Sequence, residues 1–196
     1  MSPTRIPIIA IVLLSLTGAA YAQSSAESAN GVPISQLIAT VAKQTGKKFV
    51  VDPRVHVNVT LLGQDAANVN YNDLLTILSV YDFMTTEVGG YVLVLPDANA
   101  RQVPLPRLSG KESFPDTQVV DATITVKNVP AAYLVPLLRP MLPQYAHLAA
   151  LPCVNKLIIV DRYANLRRLQ AVIESLDVGS PYTPEKCEPP HWDSKP

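Results

Sequence analysis

The sequence predicts an α+β protein of two small sandwiches, each a short sheet covered on one face by helices. Three observations lead there. Four apolar stripes at helical spacing fall in two separate pairs, stretches alternating apolar and polar residues lie between them, and a proline-rich segment divides the chain into 31–95 and 119–178.

The N-terminus is read first because it decides the compartment. Residues 1–22 carry one basic residue, Arg5, an apolar run over 6–16, and then Ala20-Tyr21-Ala22. A run of this length followed by an A-x-A site is the pattern of a secretory signal peptide cleaved after Ala22. A spanning helix needs about 20 apolar residues, and this run is shorter. The expected location is therefore the periplasm, with association to an outer membrane only through partners.

Four helices follow from one template. Ile34, Leu37, Ile38 and Val41 lie at i, i+3, i+4, i+7, as do Leu74, Ile77, Leu78 and Tyr81, then Leu134, Leu137, Leu138 and Met141, and finally Leu169, Val172, Ile173 and Leu176. Gly46 is placed to end the first helix and Asp161 to cap the last. Pro136 removes a hydrogen bond from the third and predicts a kink.

The strands occupy the intervals. Val55, Val57, Val59 and Leu61 alternate with His56, Asn58 and Thr60, and Val120, Ala122, Ile124 and Val126 alternate with Asp121, Thr123, Thr125 and Lys127. Gly89-Gly90 predicts a tight hairpin, and Asn155-Lys156 a second one. The first segment thus reads helix, strand, strand, helix, hairpin; the second reads strand, helix, hairpin, helix. Between them, 96–118 has the composition of an extended, semi-rigid linker, and 179–196 that of a proline-rich, irregular tail.

Chemistry is sparse. His56, His147 and His191 stand in unrelated contexts, and no H-E-x-x-H, C-x-x-C, G-x-S-x-G or phosphate loop occurs, so neither metal nor cofactor is expected and an enzyme is not. His56 points outward on its strand, Asp52 before Pro53 reads as a turn, and Arg162, Arg167 and Arg168 read as the solvated face of the last helix. A formal charge of zero gives no general pull on nucleic acid. Cys153 and Cys187 can form a disulfide in an oxidising compartment, or Cys153 can be a buried free thiol.

The residues resemble a family. "VKNVPAAYLVPLLRPMLPQ" (126–144) followed by "NKLIIVDRYANLRRLQAVIESLDV" (155–178) is similar to the repeated KH-like periplasmic N module of bacterial secretins, the outer-membrane channels of type II secretion and type IV pilus systems. Asn155, Leu157, Asp161, Asn165, Arg168, Leu176 and Asp177 fit its motif, and Pro136 has a place in it. "ISQLIATVAKQTGKKFVVDPRVHVNVTLL" and "LLTILSVYDFMTTEVGGYVLVLPD" resemble the secretin domain that precedes it, related to the signalling domain of TonB-dependent receptors.

What the resemblance implies is a non-enzymatic scaffold of a type II secretion or pilus-like system. Its expected partners are a secretin ring or other secretion proteins, an inner-membrane platform component, and copies of itself; nucleic acid is not one, since the GXXG loop of RNA-binding KH folds is absent. The family's channel domain has no counterpart in 1–196, which implies the N-terminal half of a split secretin or an accessory. The alternative is a stand-alone periplasmic signalling or adaptor domain. One departure stands out: "SSAESANGVP" replaces an apolar first strand, so the first sheet is expected to lack an edge strand or to carry a frayed one.

Overall fold

The computed structural model describes residues 31–110 and 112–184. The signal segment, Cys187 and His191 lie outside them. The first domain runs β1 (Val32–Pro33), α1 (Ile34–Thr45), β2 (Lys48–Val51), β3 (Asn58–Val59), α2 (Tyr71–Val80), β4 (Phe83–Val88) and β5 (Tyr91–Pro96). The second runs β6 (Arg107–Leu108), β7 (Val119–Thr125), α3 (Ala131–Leu138), β8 (His147–Leu151), β9 (Lys156–Arg162) and α4 (Tyr163–Leu176). Both are small α+β units, as the patterning predicts.

In the first domain the sheet order is β2-β5-β4, with β2 parallel and β4 antiparallel to β5. The full α1 stripe, Ile34, Leu37, Ile38 and Val41, is buried against Leu74 and Leu78 of α2 and Val94 of β5. Gly46 ends α1 in the left-handed region at φ 68°, its N–H donating to the Ala42 carbonyl. A capping box starts α2: Asn70 accepts from the Asp73 N–H while the Asp73 carboxylate accepts from that of Asn70. Gly89 and Gly90 both take positive φ (59° and 80°), the two-residue turn whose twist matches its strands.

The second sheet is ordered β6-β7-β9-β8, parallel only between β6 and β7. Val120, Ala122, Leu157 and Ile159 face α3 and α4 and pack with Leu134, Leu138, Leu166, Leu169 and Ile173.

Several elements differ from the sequence reading. The alternation over 55–61 holds in burial at Val55 and Val59, yet only Asn58 and Val59 pair, because their partner β1 is two residues long. The second hairpin turns not at Asn155-Lys156 but over the four residues 152–155: a 3-10 turn (Pro152–Val154) leads into Asn155 at φ 47°, and Lys156 is already paired with Thr125 and Leu151. Pro136 sits inside α3 as one continuous α-segment, which then tightens into a 3-10 turn (Arg139–Met141). So short a helix buries Ala131, Leu134 and Leu138 and leaves Leu137 58% exposed.

The segment expected as an extended linker is folded. Residues 97–102 form a 3-10 helix that buries Ala100, and β6 adds to the second sheet. The Thr86 hydroxyl donates to the Pro104 carbonyl. Because proline lacks an N–H, Pro104 and Pro106 run beside the first domain without completing a ladder on it.

Candidate functional site

The motif residues of the second domain come together in two knots. At one end, Asn155 is 4% exposed, and its side chain satisfies three backbone groups: Oδ1 accepts from the Ala131 N–H at 2.7 Å, while Nδ2 donates to the carbonyls of Val126 and Val129 at 2.8 and 2.9 Å. Pro130 gives α3 no side-chain cap, so Asn155 supplies that cap from 24 residues away. Asp177 closes the same loop, its carboxylate accepting from the N–H groups of Lys127, Asn128 and Val129. Burial acts to raise the Asp177 pKa, but these three donors outweigh it and hold it below the usual carboxylate value.

The other knot is built on Asp161. It does not cap α4: the N-cap residue is Arg162, with no side-chain bond, and Asp161 belongs to β9. Its carboxylate is 1% exposed and accepts from the Tyr145 hydroxyl, the Asn165 amide and the Arg162 N–H. Burial and the adjacent Asp161 charge together push the Tyr145 phenol well above its usual range. Asn165 and Arg168 both donate to the Met141 carbonyl, tying α4 to the turn after α3. Leu157 is fully buried, whereas Leu176 is 38% exposed at the end of α4. Every polar member of the motif is thus used on the fold itself.

A domain joint lies beside Asp161. Met84 and Leu95 of the first sheet meet Val119 and Val160 of the second, with Ala100 and Leu105 between them. Arg162 crosses the joint: one guanidinium nitrogen donates to the Thr117 carbonyl at 3.1 Å, and the other reaches the Phe83 carbonyl and the Asp97 carboxylate at 3.5 Å. Its side chain is 15% exposed, so Arg162 does not share the solvated face that Arg167 and Arg168 occupy. Burial raises the Asp97 pKa, Asp82 adds to that, and Arg162 opposes it. Gln118, 9% exposed, donates across the joint to the Thr85 carbonyl at 3.0 Å. Sequence reasoning missed Arg162, Gln118 and Asp97, since each is buried by the other domain rather than by its own periodicity.

The remaining candidates are local or solvated. Asp52 forms a turn with Arg54, whose guanidinium and backbone N–H bring its pKa down to about 2. His56 is exposed, with a ring nitrogen 3.0 Å from the Pro53 carbonyl. Among the described residues no group of three or more His, Cys, Asp or Glu is arranged to hold a metal, and no helix is long and apolar enough to cross a membrane.

What the surface offers is strand edges. β1 and β3 form a two-stranded ribbon, so each keeps one unpaired side, and β2 and β8 end their sheets. Val50 (49% exposed) and Val51 (36%) make the β2 edge apolar.

Comparison with known proteins places these units. Residues 28–94 match the family model described as the GspD-like N0 domain, and residues 122–181 match the bacterial type II/III secretion system short domain. Secretin XcpQ of Pseudomonas aeruginosa is 36% identical over 146 residues, covering 74% of this chain and 21% of that protein. Secretin GspD of Vibrio cholerae is 31% identical over 166 residues, covering 82% of this chain and 25% of that protein. The structure of the Klebsiella pneumoniae type II secretion system outer membrane complex, containing PulD, PulS and the PulC HR domain, superposes with a TM-score of 0.66 at 28% identity. It covers 76% of this chain and 26% of the matched chain, so this sequence spans about a quarter of the length of such relatives. Two family models in the order the two folded units take, with relatives matched across both, show that the chain belongs to the secretins through their N-terminal domains.

Proposed function

We propose that this chain is a non-enzymatic interaction module of a type II secretion or pilus-like machine, exported with cleavage after Ala22 and acting in the periplasm. The first domain, 31–95, makes the contact with an inner-membrane platform component, and the second, 119–178, contacts like modules in a secretin ring or in other copies of this chain.

The observation that supports the reading is the set of open strand edges on two firmly joined domains whose motif residues are all committed to the fold. An unpaired edge offers N–H and C=O groups to any extended partner, and strand addition is a common way to use them. The relative PulD is seen assembled with PulS and the PulC HR domain, and partners of those classes are proposed here.

Photo-crosslinking in the intact chain separates the two surfaces. A benzophenone side chain at Asn58, exposed on β3, is expected to capture a membrane-anchored platform protein, and one at Ala149 on the β8 edge a secretin module or a second copy. Capture of the platform protein from Ala149 and of nothing from Asn58 would reverse the assignment. N-terminal sequencing of the exported protein is expected to begin at Gln23.

A further inference from the structure

A cleft of about 420 Å³ opens beside β4, walled by Tyr71, Phe114, Leu105 and the prolines 104, 106 and 115. Its volume falls in the range of ligand sites, and its lining has their composition of apolar walls with a few convergent polar groups. One of those groups is unsatisfied. Thr85 is 3% exposed, and its Oγ1 is the single buried side-chain nitrogen or oxygen without a hydrogen-bond partner among the described residues. Such an atom costs free energy unless something supplies a partner. The Tyr71 phenol lines the same cleft, its pKa raised by burial and held back by the neighbouring Thr85 hydroxyl, with no hydrogen bond of normal length closing between the two.

The strand beside the cleft has an open edge. The two-residue turn makes Val88–Tyr91 the closing hydrogen-bonded pair of the hairpin, so Met84, Thr86 and Val88 bond inward to β5. Thr85 and Glu87 therefore turn their backbone groups outward. The Thr85 carbonyl is taken by the Gln118 amide, which fixes that parity independently. Neither backbone group of Glu87 has a partner outside its own hairpin among the described residues. The chain running alongside is Pro104-Leu105-Pro106, whose prolines have no N–H to give.

Charge selects the occupant. Among the described residues of the lining, the only ionised one, Glu87, is neutralised by Lys47, so the cleft favours an uncharged guest. An unpaired strand edge next to an apolar recess matches an extended peptide, whose main chain pairs while alternate side chains fill pockets. We propose that this cleft is a docking site for an extended, uncharged peptide segment of a partner protein. The segment pairs its backbone with Glu87 and inserts one aromatic or leucine-sized side chain between Leu105 and Phe114, where a polar group reaches the Thr85 hydroxyl. The proposal goes beyond the assignment of platform and ring surfaces, since it lies on neither the β1–β3 ribbon nor the β8 edge.

The test is amide-resolved NMR titration of the full chain with N-acetyl-L-phenylalanine N-methylamide, a capped single residue, against toluene, the same ring without a backbone. The amide probe is expected to shift the signals of Thr85, Glu87 and Phe114 and to bind at least about tenfold more tightly than toluene. Thr85→Val removes the hydroxyl at constant shape and is expected to weaken the probe about fivefold while leaving the unfolding temperature unchanged or higher; Thr85→Ser, which keeps the hydroxyl, is expected to restore binding. No shifts at millimolar probe, equal binding of toluene, or undiminished binding by Thr85→Val would each overturn the proposal. The wild-type comparison stands even if a variant fails to fold.

Discussion

Replacing Asn155 by alanine should be among the most damaging single changes in the second domain. Its side chain is 4% exposed and partners three backbone groups, the N–H of Ala131 and the carbonyls of Val126 and Val129. Truncation orphans all three, and a buried polar group left unmade costs about 1–3 kcal/mol. Some rewetting from the half-buried Val129 side lowers the total, so the expected loss is about 3–5 kcal/mol, a large share of the stability of a small domain. Backbone strain separates from hydrogen bonding by a second variant. Asn155 sits at φ 47°, a conformation that glycine accepts freely and alanine does not. Asn155→Gly should therefore be about 1 kcal/mol more stable than Asn155→Ala while still losing the three bonds. Asn155→Asp keeps an acceptor for Ala131 but turns an anionic oxygen toward two carbonyls, and is expected to recover little. Urea unfolding of the full chain, followed by circular dichroism, reads all three. A loss below about 1 kcal/mol for the alanine variant, or an alanine variant as stable as the glycine one, would refute the reasoning.

The Asp177 carboxylate, held below its ordinary pKa by three backbone N–H groups, contributes stability that is present above the unfolded value and lost as pH falls through the folded one. Asp177→Asn should flatten the acid limb of the stability–pH curve, and an unchanged limb would show that the loop does not depend on the charge. Arg162→Ala should loosen the joint and cost about 2–3 kcal/mol by leaving the buried Asp97 carboxylate without its cation. The double variant with Asp97→Asn should recover part of that loss in thermal unfolding, and no recovery would mean that the pair does not couple. A disulfide between Cys153 and Cys187, the partner outside the described residues, would tie the tail to the second domain and contribute about 3–4 kcal/mol by loop closure. Mass spectrometry of unreduced, alkylated protein should find neither thiol labelled, and two labelled thiols would end the idea.

Much of the fold was legible because periodicity encodes burial within a single domain. The stripe of Ile34, Leu37, Ile38 and Val41 is wholly buried, and Leu157 and Ile159 face inward from β9 as their alternation requires. The motif positions were legible as structural, but their partners were not, since Asn155 serves a helix start 24 residues away and Asp177 serves a loop about 50 residues away. No local pattern carries such distances. Ladder length also escaped, because β3 can only be as long as the β1 it pairs with. The proline-rich segment was misread for a related reason: proline removes donors but not acceptors, so Pro104 still receives the Thr86 hydroxyl and the segment folds against the first sheet.

The joint shows where single-domain reading stops. Val119 and Val120 are neighbours on one strand and must face opposite sides of the sheet, yet both are fully buried. One side is covered by α3 and α4, and the other by Met84 and Leu95 of the first domain. Arg162 follows the same rule: at the end of β9 it looks solvated within its own domain, and only the neighbouring domain makes it an interior residue. Separating 31–95 from 119–178 would therefore expose Met84, Val119 and Val160 to water and leave Arg162 without the Asp97 carboxylate. A capture experiment on isolated halves would read that artificial apolar surface along with any native docking edge. Partner contacts belong instead to the intact chain, where the joint is closed and the open edges of β1, β2, β3, β4 and β8 remain for a partner to find.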